Sequence, residues 1–216
     1  MESSSRILLL LGPDGQNSAA VALGLGLRLA KTQPVELYSD TLAPARTGGV
    51  FYFNPESRPA GGKTGSLLYK TFCCHRCTHW NCPPRQPVAV IDAQGRRGAR
   101  QLTRWAAPLR ERGYEFYALI QPFAPPSRSP QDTASLLRQA QRYTGLQLCG
   151  LIHCPAAEKP IAPSLEFVRA CAEALGTPVV LHAAPSAWLQ QLSKQQRQAL
   201  SCLSLGDGLP KKRKAP

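Results

Sequence analysis

Short apolar runs that alternate with longer segments of helical spacing constrain this chain more than any other feature. The first run, Arg6–Leu11, is continuously apolar after its arginine and ends at a Gly-Pro-Asp-Gly turn. Such a run indicates a strand buried on both faces, as in a parallel sheet. The next segment, Ser18–Lys31, has the spacing of a helix, and Asn17 is a candidate for its N-cap.

The same alternation continues through the rest of the chain. Further strands are predicted at Val35–Tyr38, Pro87–Ile91, Glu115–Gln121, Leu146–His153 and Pro178–His182. Further helices are predicted at Gly98–Arg112, Pro130–Tyr143, Ser164–Leu175 and Ala187–Leu203. Strands separated by helices of about 10–15 residues form parallel sheets with right-handed crossovers. We therefore predict one three-layer α/β domain over residues 1–206, with a mostly parallel sheet flanked by helices.

Two segments depart from this pattern. Residues 41–86 are rich in Pro, Gly, Cys and His, and are predicted to form an insertion or long loop; residues 207–216 form a basic tail that we expect to be disordered. The chain has no run of about 20 apolar residues that could span a membrane. Its first residues do not resemble the basic start of a signal peptide, so a cytoplasmic location is expected.

The charge of the chain is strongly positive and unevenly distributed. The formal net charge is +13, and residues 58–113 hold eleven basic residues against two acidic ones. Four of these arginines, Arg96, Arg97, Arg100 and Arg104, lie at the start of one predicted helix. This distribution favours an anionic partner, whether phosphate groups, nucleic acid or an acidic protein, although a solvated helix face is the plainer interpretation.

The turn after the first strand lies where a phosphate-binding loop would lie. That loop has the pattern G-x-x-x-x-G-K-[ST], whose lysine neutralises phosphate and whose hydroxyl holds Mg²⁺. Here the first glycine is Gly12, but Asn17, Ser18 and Ala19 occupy the positions of the second glycine, the lysine and the hydroxyl residue. The first lysine of the chain is Lys31, so the sequence predicts slow or absent hydrolysis.

Four segments together resemble the MinD/ParA/CobQ-type P-loop ATPases, which belong to the SIMIBI class. They are Ile7–Gly15, Val35–Asp40, Val88–Asp92 and Thr144–His153. The resemblance covers most of the chain except residues 41–86, and it rests on the order and spacing of the segments. Its departures from the family fall on catalytic positions.

The resemblance implies a nucleotide site at the carboxyl ends of the strands. Asp40 would lie near the nucleotide and Asp92 would be the Walker B aspartate, and these two are the candidate catalytic residues. ATP or ADP with Mg²⁺ would contact Gly12, Gly15, Gln16, Asn17, Ser18 and Ala19. The family's adenine-side asparagine would be replaced by His153 or Cys154.

A cysteine–histidine cluster in the insertion is a second candidate site. Cys74 and Cys77 have the C-x-x-C spacing that grips one tetrahedral metal, and Cys73, His79 and Cys82 could complete the site. Zn²⁺ is the first choice of ion, an iron–sulfur cluster is the second, and a redox-active or incidental thiol cluster is the third interpretation. The other cysteines, Cys149, Cys171 and Cys202, are predicted to lie in the core.

Three functions follow from these observations. The first is a MinD/ParA-like protein that is impaired in catalysis and acts as a regulatory or scaffold partner, in a homodimer or with another protein. The second is an active ATPase with a non-standard P-loop. The third is a zinc-containing module that binds nucleic acid through residues 58–113.

Overall fold

The structure, a computed structural model, describes most of the chain outside the predicted insertion. It describes residues 6–12, 16–32, 35–39, 46–47, 50–53, 88–124, 129–155, 160–195 and 200–205. None of the described helices is long and apolar enough to cross a membrane.

Strands and helices alternate along the described residues. The strands are β1 (Ile7–Gly12), β2 (Val35–Ser39), β3 (Arg46–Thr47), β4 (Val50–Phe53), β5 (Val88–Gln94), β6 (Glu115–Ile120), β7 (Gly150–His153), β8 (Val179–Pro185) and β9 (Cys202–Leu205). The helices are α1 (Gln16–Leu29), α2 (Gly95–Arg112), α3 (Pro130–Thr144), α4 (Ile161–Leu175) and α5 (Ser186–Gln190).

The described strands form a single sheet. Their order is β3-β4-β2-β5-β1-β6-β7-β8-β9. β3 pairs antiparallel with β4, and every other described pair is parallel. β1 therefore lies inside the sheet, between β5 and β6, as its continuous apolar sequence predicts.

Helices cover both faces of the sheet, which confirms the predicted three-layer α/β fold. Leu8 and Leu10 of β1 point to one face and pack in the same apolar cluster as Val21 of α1. Ile7 and Leu9 point to the other face, where their cluster includes Leu102 of α2. Helices α3 and α4 continue that second layer.

The start of α3 is the local prediction that the structure reproduces most closely. Ser129 is the N-cap, and its hydroxyl oxygen accepts a hydrogen bond from the backbone N–H of Asp132 at 3.1 Å. Pro130 occupies the first helical position, where the backbone N–H that proline lacks would have no partner within the helix. Gly145 ends the helix in the left-handed conformation at φ 67°.

The predicted helix Ala187–Leu203 is wrong. Helix α5 ends at Gln190, and Cys202–Leu205 is a strand paired with β8. Leu203 packs on the α1 side of the sheet, and a methyl group added at Gly24 of α1 would lie 3.3 Å from its Cδ2. Contact with a distant helix, rather than the local spacing of apolar residues, decides this element.

One other prediction near the start of the chain needs correction. Helix α1 begins at Gln16, so Asn17 lies inside its first turn and is not the N-cap. β3 and β4 fall within the predicted insertion 41–86, and β4 pairs with β2 and extends the sheet. Residues 54–87 lie outside the described part of the chain, so the bounds of the insertion stay a prediction.

Candidate functional site

The carboxyl ends of three neighbouring strands bring polar side chains together. Gly12 ends β1, Ser39 ends β2, and Asp92 lies near the end of β5. In the paired strands, Leu10 and Ser39 are both in register with Asp92. Ligands of open α/β sheets bind beyond this edge of the sheet, so this is the candidate site.

The carboxylate of Asp92 is the centre of the site. Oδ1 accepts a hydrogen bond from the hydroxyl of Ser18. Oδ2 accepts one from the hydroxyl of Ser39 at 2.8 Å and one from Nε2 of Gln94 at 2.7 Å. All four side chains are buried, and Asp92 is only 4% exposed. A buried carboxylate requires such donors, because an unpaired charge in a low-dielectric interior is costly.

Gly12 is what allows Ser18 to approach the end of β1. A Cβ atom at residue 12 would lie 2.8 Å from Oγ of Ser18 and 3.0 Å from its Cβ. Because α1 begins at Gln16, Ser18 lies in its first turn, directly over the sheet edge. The start of α1 at Gln16 and the missing side chain of Gly12 together allow the hydroxyl to lie against Asp92.

The hydroxyl beside Asp92 does not come from the position that the phosphate-loop pattern gives to the hydroxyl residue. Counted from Gly12, the pattern puts that residue at Ala19, which is buried and carries only a methyl group. The hydroxyl that contacts Asp92 belongs to Ser18, at the position of the pattern's lysine.

The structure brings together three of the predicted site residues, Gly12, Ser18 and Asp92. Asp40 and Gly15 lie outside the described residues, as do the side chains of Gln16 and Asn17. Ser39 and Gln94 were missed by the sequence analysis. Alternation along β5 was an available signal for Gln94, because side chains two residues apart point to the same face of a strand.

A second buried polar cluster lies at the end of β7 and in the middle of the neighbouring strand β8. Nδ1 of His153 lies 2.9 Å from Nδ1 of His182, and Nε2 of His153 lies 2.8 Å from the hydroxyl of Ser164. Trp188 packs edge-on against His153, and among the described residues its Nε1 is the one buried side-chain nitrogen or oxygen without a hydrogen-bond partner. Burial, together with the neighbouring His182, lowers the pKa of His153 to about 3, so both rings are neutral near pH 7.

Neither residue at the predicted adenine-side position faces solvent. His153 is fully buried and engaged on both ring nitrogens. Cys154 is also buried, its thiol faces the carbonyl oxygen of Ile152 at 3.7 Å, and burial raises its pKa. Both side chains therefore contribute to the packing of the fold and do not face a ligand at this position.

The cysteine predictions are tested only in part by the described residues. The candidate metal ligands Cys73, Cys74, Cys77, His79 and Cys82 lie outside the described residues. Within the described ranges, no group of three or more His, Cys, Asp or Glu side chains could hold a metal ion. Cys171 is buried as predicted and Cys202 is partly buried, but Cys149 is exposed because it lies in the connection before β7 begins.

Arginines line one side of α2. Arg96, Arg97, Arg100 and Arg104 are all exposed, and the first turn of the helix has no acidic residue. At 100° per residue these four positions fall within an arc of about 100°. Leu102 and Leu109 face the core on the opposite side.

The chain has a three-layer α/β fold of the P-loop type, and comparison with solved structures supports this fold. The chain is similar to the signal recognition particle receptor FtsY from Elizabethkingia anophelis, with a TM-score of 0.51 and 12% identity over 88% of this chain. It is also similar to FtsY from Mycoplasma mycoides, with a TM-score of 0.48 and 13% identity over 83% of this chain.

These similarities concern the fold alone. The chain spans 62% and 60% of the two FtsY chains. The similarity to the Elizabethkingia anophelis protein supports a P-loop-like α/β fold and does not single out the MinD/ParA type. No protein-family model matches the sequence. No curated protein matches it either.

Proposed function

We propose that this protein binds a magnesium–nucleotide weakly, does not hydrolyse it, and acts as a regulatory or scaffold partner. The observation that carries the proposal is the hydrogen bond between Ser18 and Asp92 at the end of β1. In P-loop NTPases, Mg²⁺ is held by a loop Ser or Thr and a Walker B Asp. The hydroxyl and carboxylate found here fit that pair.

The same site supports binding better than turnover. No lysine precedes Lys31, so the loop supplies no ammonium for the β and γ phosphates. Such charge-assisted contacts are worth several kcal/mol in a water-poor site. The two carboxylate oxygens of Asp92 already accept hydrogen bonds from Ser18, Ser39 and Gln94, which favours a structural carboxylate over one that positions water. The nucleotide is expected to be ATP or ADP by resemblance, and GTP is the alternative to test.

The competing proposal is an active hydrolase with a non-standard loop. In it, Asp92 and Asp40 position Mg²⁺ or water. Both proposals predict binding, and they differ in turnover and in the role of Asp92.

Calorimetric titration with MgADP, MgATP and MgGTP, followed by a phosphate-release assay, separates them. We expect weak, saturable binding without release above buffer. Ser18→Ala should weaken binding, whereas Ser204→Ala removes an exposed hydroxyl of β9 and should not. Phosphate release that Asp92→Asn abolishes would establish the hydrolase instead. Absence of binding at millimolar nucleotide would refute the proposal.

A second candidate function is binding to the phosphate backbone of nucleic acid. It is favoured by the four exposed arginines that share one side of α2. The predicted zinc site at Cys73, Cys74, Cys77, His79 and Cys82 belongs to this candidate.

The salt dependence of binding to a fluorescent oligonucleotide tests this function. Each phosphate contact contributes about −0.9 to the slope of log K against log salt for duplex DNA. Arg100→Gln with Arg104→Gln should reduce the slope by about 2, whereas Arg142→Gln on α3 should leave it unchanged. Equal loss in both variants would indicate general charge attraction. Metal analysis of protein purified without chelator tests the zinc site, and less than about a tenth of an equivalent would remove it.

A further inference from the structure

A cavity at the opposite edge of the sheet is unused by the proposed function. It has a volume of about 310 Å³ and lies between the last turns of α1 and the first halves of β1, β6 and β8. The Ser18–Asp92 site is at the other end of β1. The cavity therefore neither shares residues with the nucleotide site nor depends on it.

The interior of the cavity is apolar. Its floor includes Leu8, Ile152 and Leu181, all of which are buried members of one core cluster. Leu25 and Leu29 of α1 form a wall and are partly buried. A ligand here would gain the free energy of apolar burial, about 25 cal/mol per Å² of apolar surface removed from water.

The first polar group at the mouth is Arg6, which a neighbouring carboxylate holds in place. Its Nε and Nη2 donate to the two oxygens of Glu115 at 2.5 and 2.9 Å. The hydroxyl of Tyr117 donates to the same carboxylate at 2.5 Å. These contacts lower the pKa of Glu115, and burial with the adjacent carboxylate raises that of Tyr117 to about 12. Glu115 is therefore an ionised acceptor already occupied by Arg6 and Tyr117.

The second polar group is Arg28, which lines the same cavity from the last turn of α1. It forms no ion pair with any residue that the structure describes. The helix dipole favours a cation at this end of a helix, so the fold tolerates Arg28 without a carboxylate partner. Two arginines and one glutamate leave a single positive charge at the mouth of an apolar cavity.

We propose that this cavity binds a compact organic carboxylate with an apolar body, such as a medium-chain fatty acid. Arg28 would pair with the carboxylate, the oriented Arg6 would supply a second donor, and the chain would lie on Leu8, Ile152 and Leu181. The volume is at the lower end of the roughly 300–1,000 Å³ of small-molecule sites, which suits such a ligand better than a nucleotide. One net positive charge matches one carboxylate.

Calorimetric titration with octanoate, and with neutral octanamide as its isostere, tests this proposal. We expect saturable 1:1 binding of octanoate. Octanamide should bind with an affinity lower by about fivefold or more, because the charge-assisted contact is lost. Arg28→Gln should reduce octanoate affinity by a similar factor and leave octanamide unaffected. Arg169→Gln, an exposed arginine on α4, is the matched control and should change neither.

Methyl NMR locates the ligand independently of affinity. Octanoate should shift the methyl resonances of Leu25, Ile152 and Leu181, and Leu29→Glu should abolish those shifts by placing a negative charge on the wall. Equal binding of octanoate and octanamide, or equal effects of Arg28→Gln and Arg169→Gln, would contradict the proposal. Absence of saturable binding at millimolar octanoate would also overturn it. Nucleotide titration of the same samples keeps this result separate from the proposed function.

Discussion

The two edges of the sheet treat their polar groups in opposite ways. At the carboxyl edge, Asp92 is buried and accepts hydrogen bonds from three neutral side chains. At the amino edge, Arg6 and Glu115 form an ion pair, and 49% and 32% of their side chains are exposed. The described polar groups of the carboxyl edge are therefore buried against one another, while those of the amino edge remain partly open to solvent. Loss of a polar group should cost more stability at the first edge than at the second.

Loss of the Asp92 side chain should have the largest effect. Asp92→Ala leaves Ser18, Ser39 and Gln94 without their shared acceptor in a buried site. We expect a loss of about 3 kcal/mol or more in the free energy of unfolding, measured by chemical denaturation. Asp92→Asn keeps one acceptor oxygen and should cost less. A loss no larger than that of Glu173→Ala, an exposed residue of α4, would contradict the contrast between the edges.

Acid should destabilise the protein through the histidine pair of β7 and β8. The pKa of His153 is about 3 in the folded protein, against about 6.5 in an unfolded chain, and that of His182 is also lowered. Below pH 6.5 the unfolded chain binds more protons, so stability is complete above pH 6.5 and falls as the pH decreases toward 3. His153 alone should remove about 2 to 3 kcal/mol between pH 7 and 4.5.

Urea denaturation at a series of pH values measures this dependence. In His153→Gln the contribution of residue 153 is absent, so the decline between pH 6.5 and 4.5 should be shallower than in the wild type. An unchanged pH profile would show that His153 does not carry the effect.

A methyl group at residue 12 tests the close packing beneath Ser18. Gly12→Ala would place Cβ 2.8 Å from Oγ of Ser18, and overpacking of this kind costs about 2 kcal/mol. Gly24→Ala in α1 is the matched control, because its Cβ would meet the side-chain ends of Leu203 at 3.3 Å and Leu205 at 3.6 Å without the closer approach found at Gly12. Since alanine is favoured in helices, the control should be neutral or stabilising by up to about 1 kcal/mol. Similar losses for both would show that Gly12 has no special role.

The amino edge should give the smallest change in stability. Glu115→Gln removes the charge that pairs with Arg6, but the pair is partly exposed and screened by solvent. We expect a loss below about 1 kcal/mol at low salt, decreasing further at high salt. A loss comparable to that of Asp92→Ala, or one insensitive to salt, would remove the distinction between the two edges.

The parts of the fold that the sequence predicts are those whose signal is local. The apolar run before Gly12 and the Ser129 cap are both readable from neighbouring residues. β9 is not, because Leu203 is placed by contact with α1 rather than by its neighbours in sequence. The apolar spacing of that segment therefore indicated a helix where the structure has a strand.

The residues of the candidate site also separate into those with a local sequence signal and those placed by tertiary contacts. Gly12 and Asp92 follow from their positions at strand ends. Ser39 was missed because its contact depends on the register between β2 and β5, which puts it opposite Asp92. That Ser18 rather than Ala19 places a hydroxyl beside Asp92 depends on where α1 begins, and helix bounds are the least reliable part of a prediction from sequence.

Nucleotide titration with product analysis tests the central claim most directly. Wild-type protein should bind MgATP or MgGTP weakly and saturably, Ser18→Ala should weaken that binding, and the bound nucleotide should be recovered intact. Recovery of the nucleotide as its diphosphate from wild-type protein, but not from Asp92→Asn, would contradict the account.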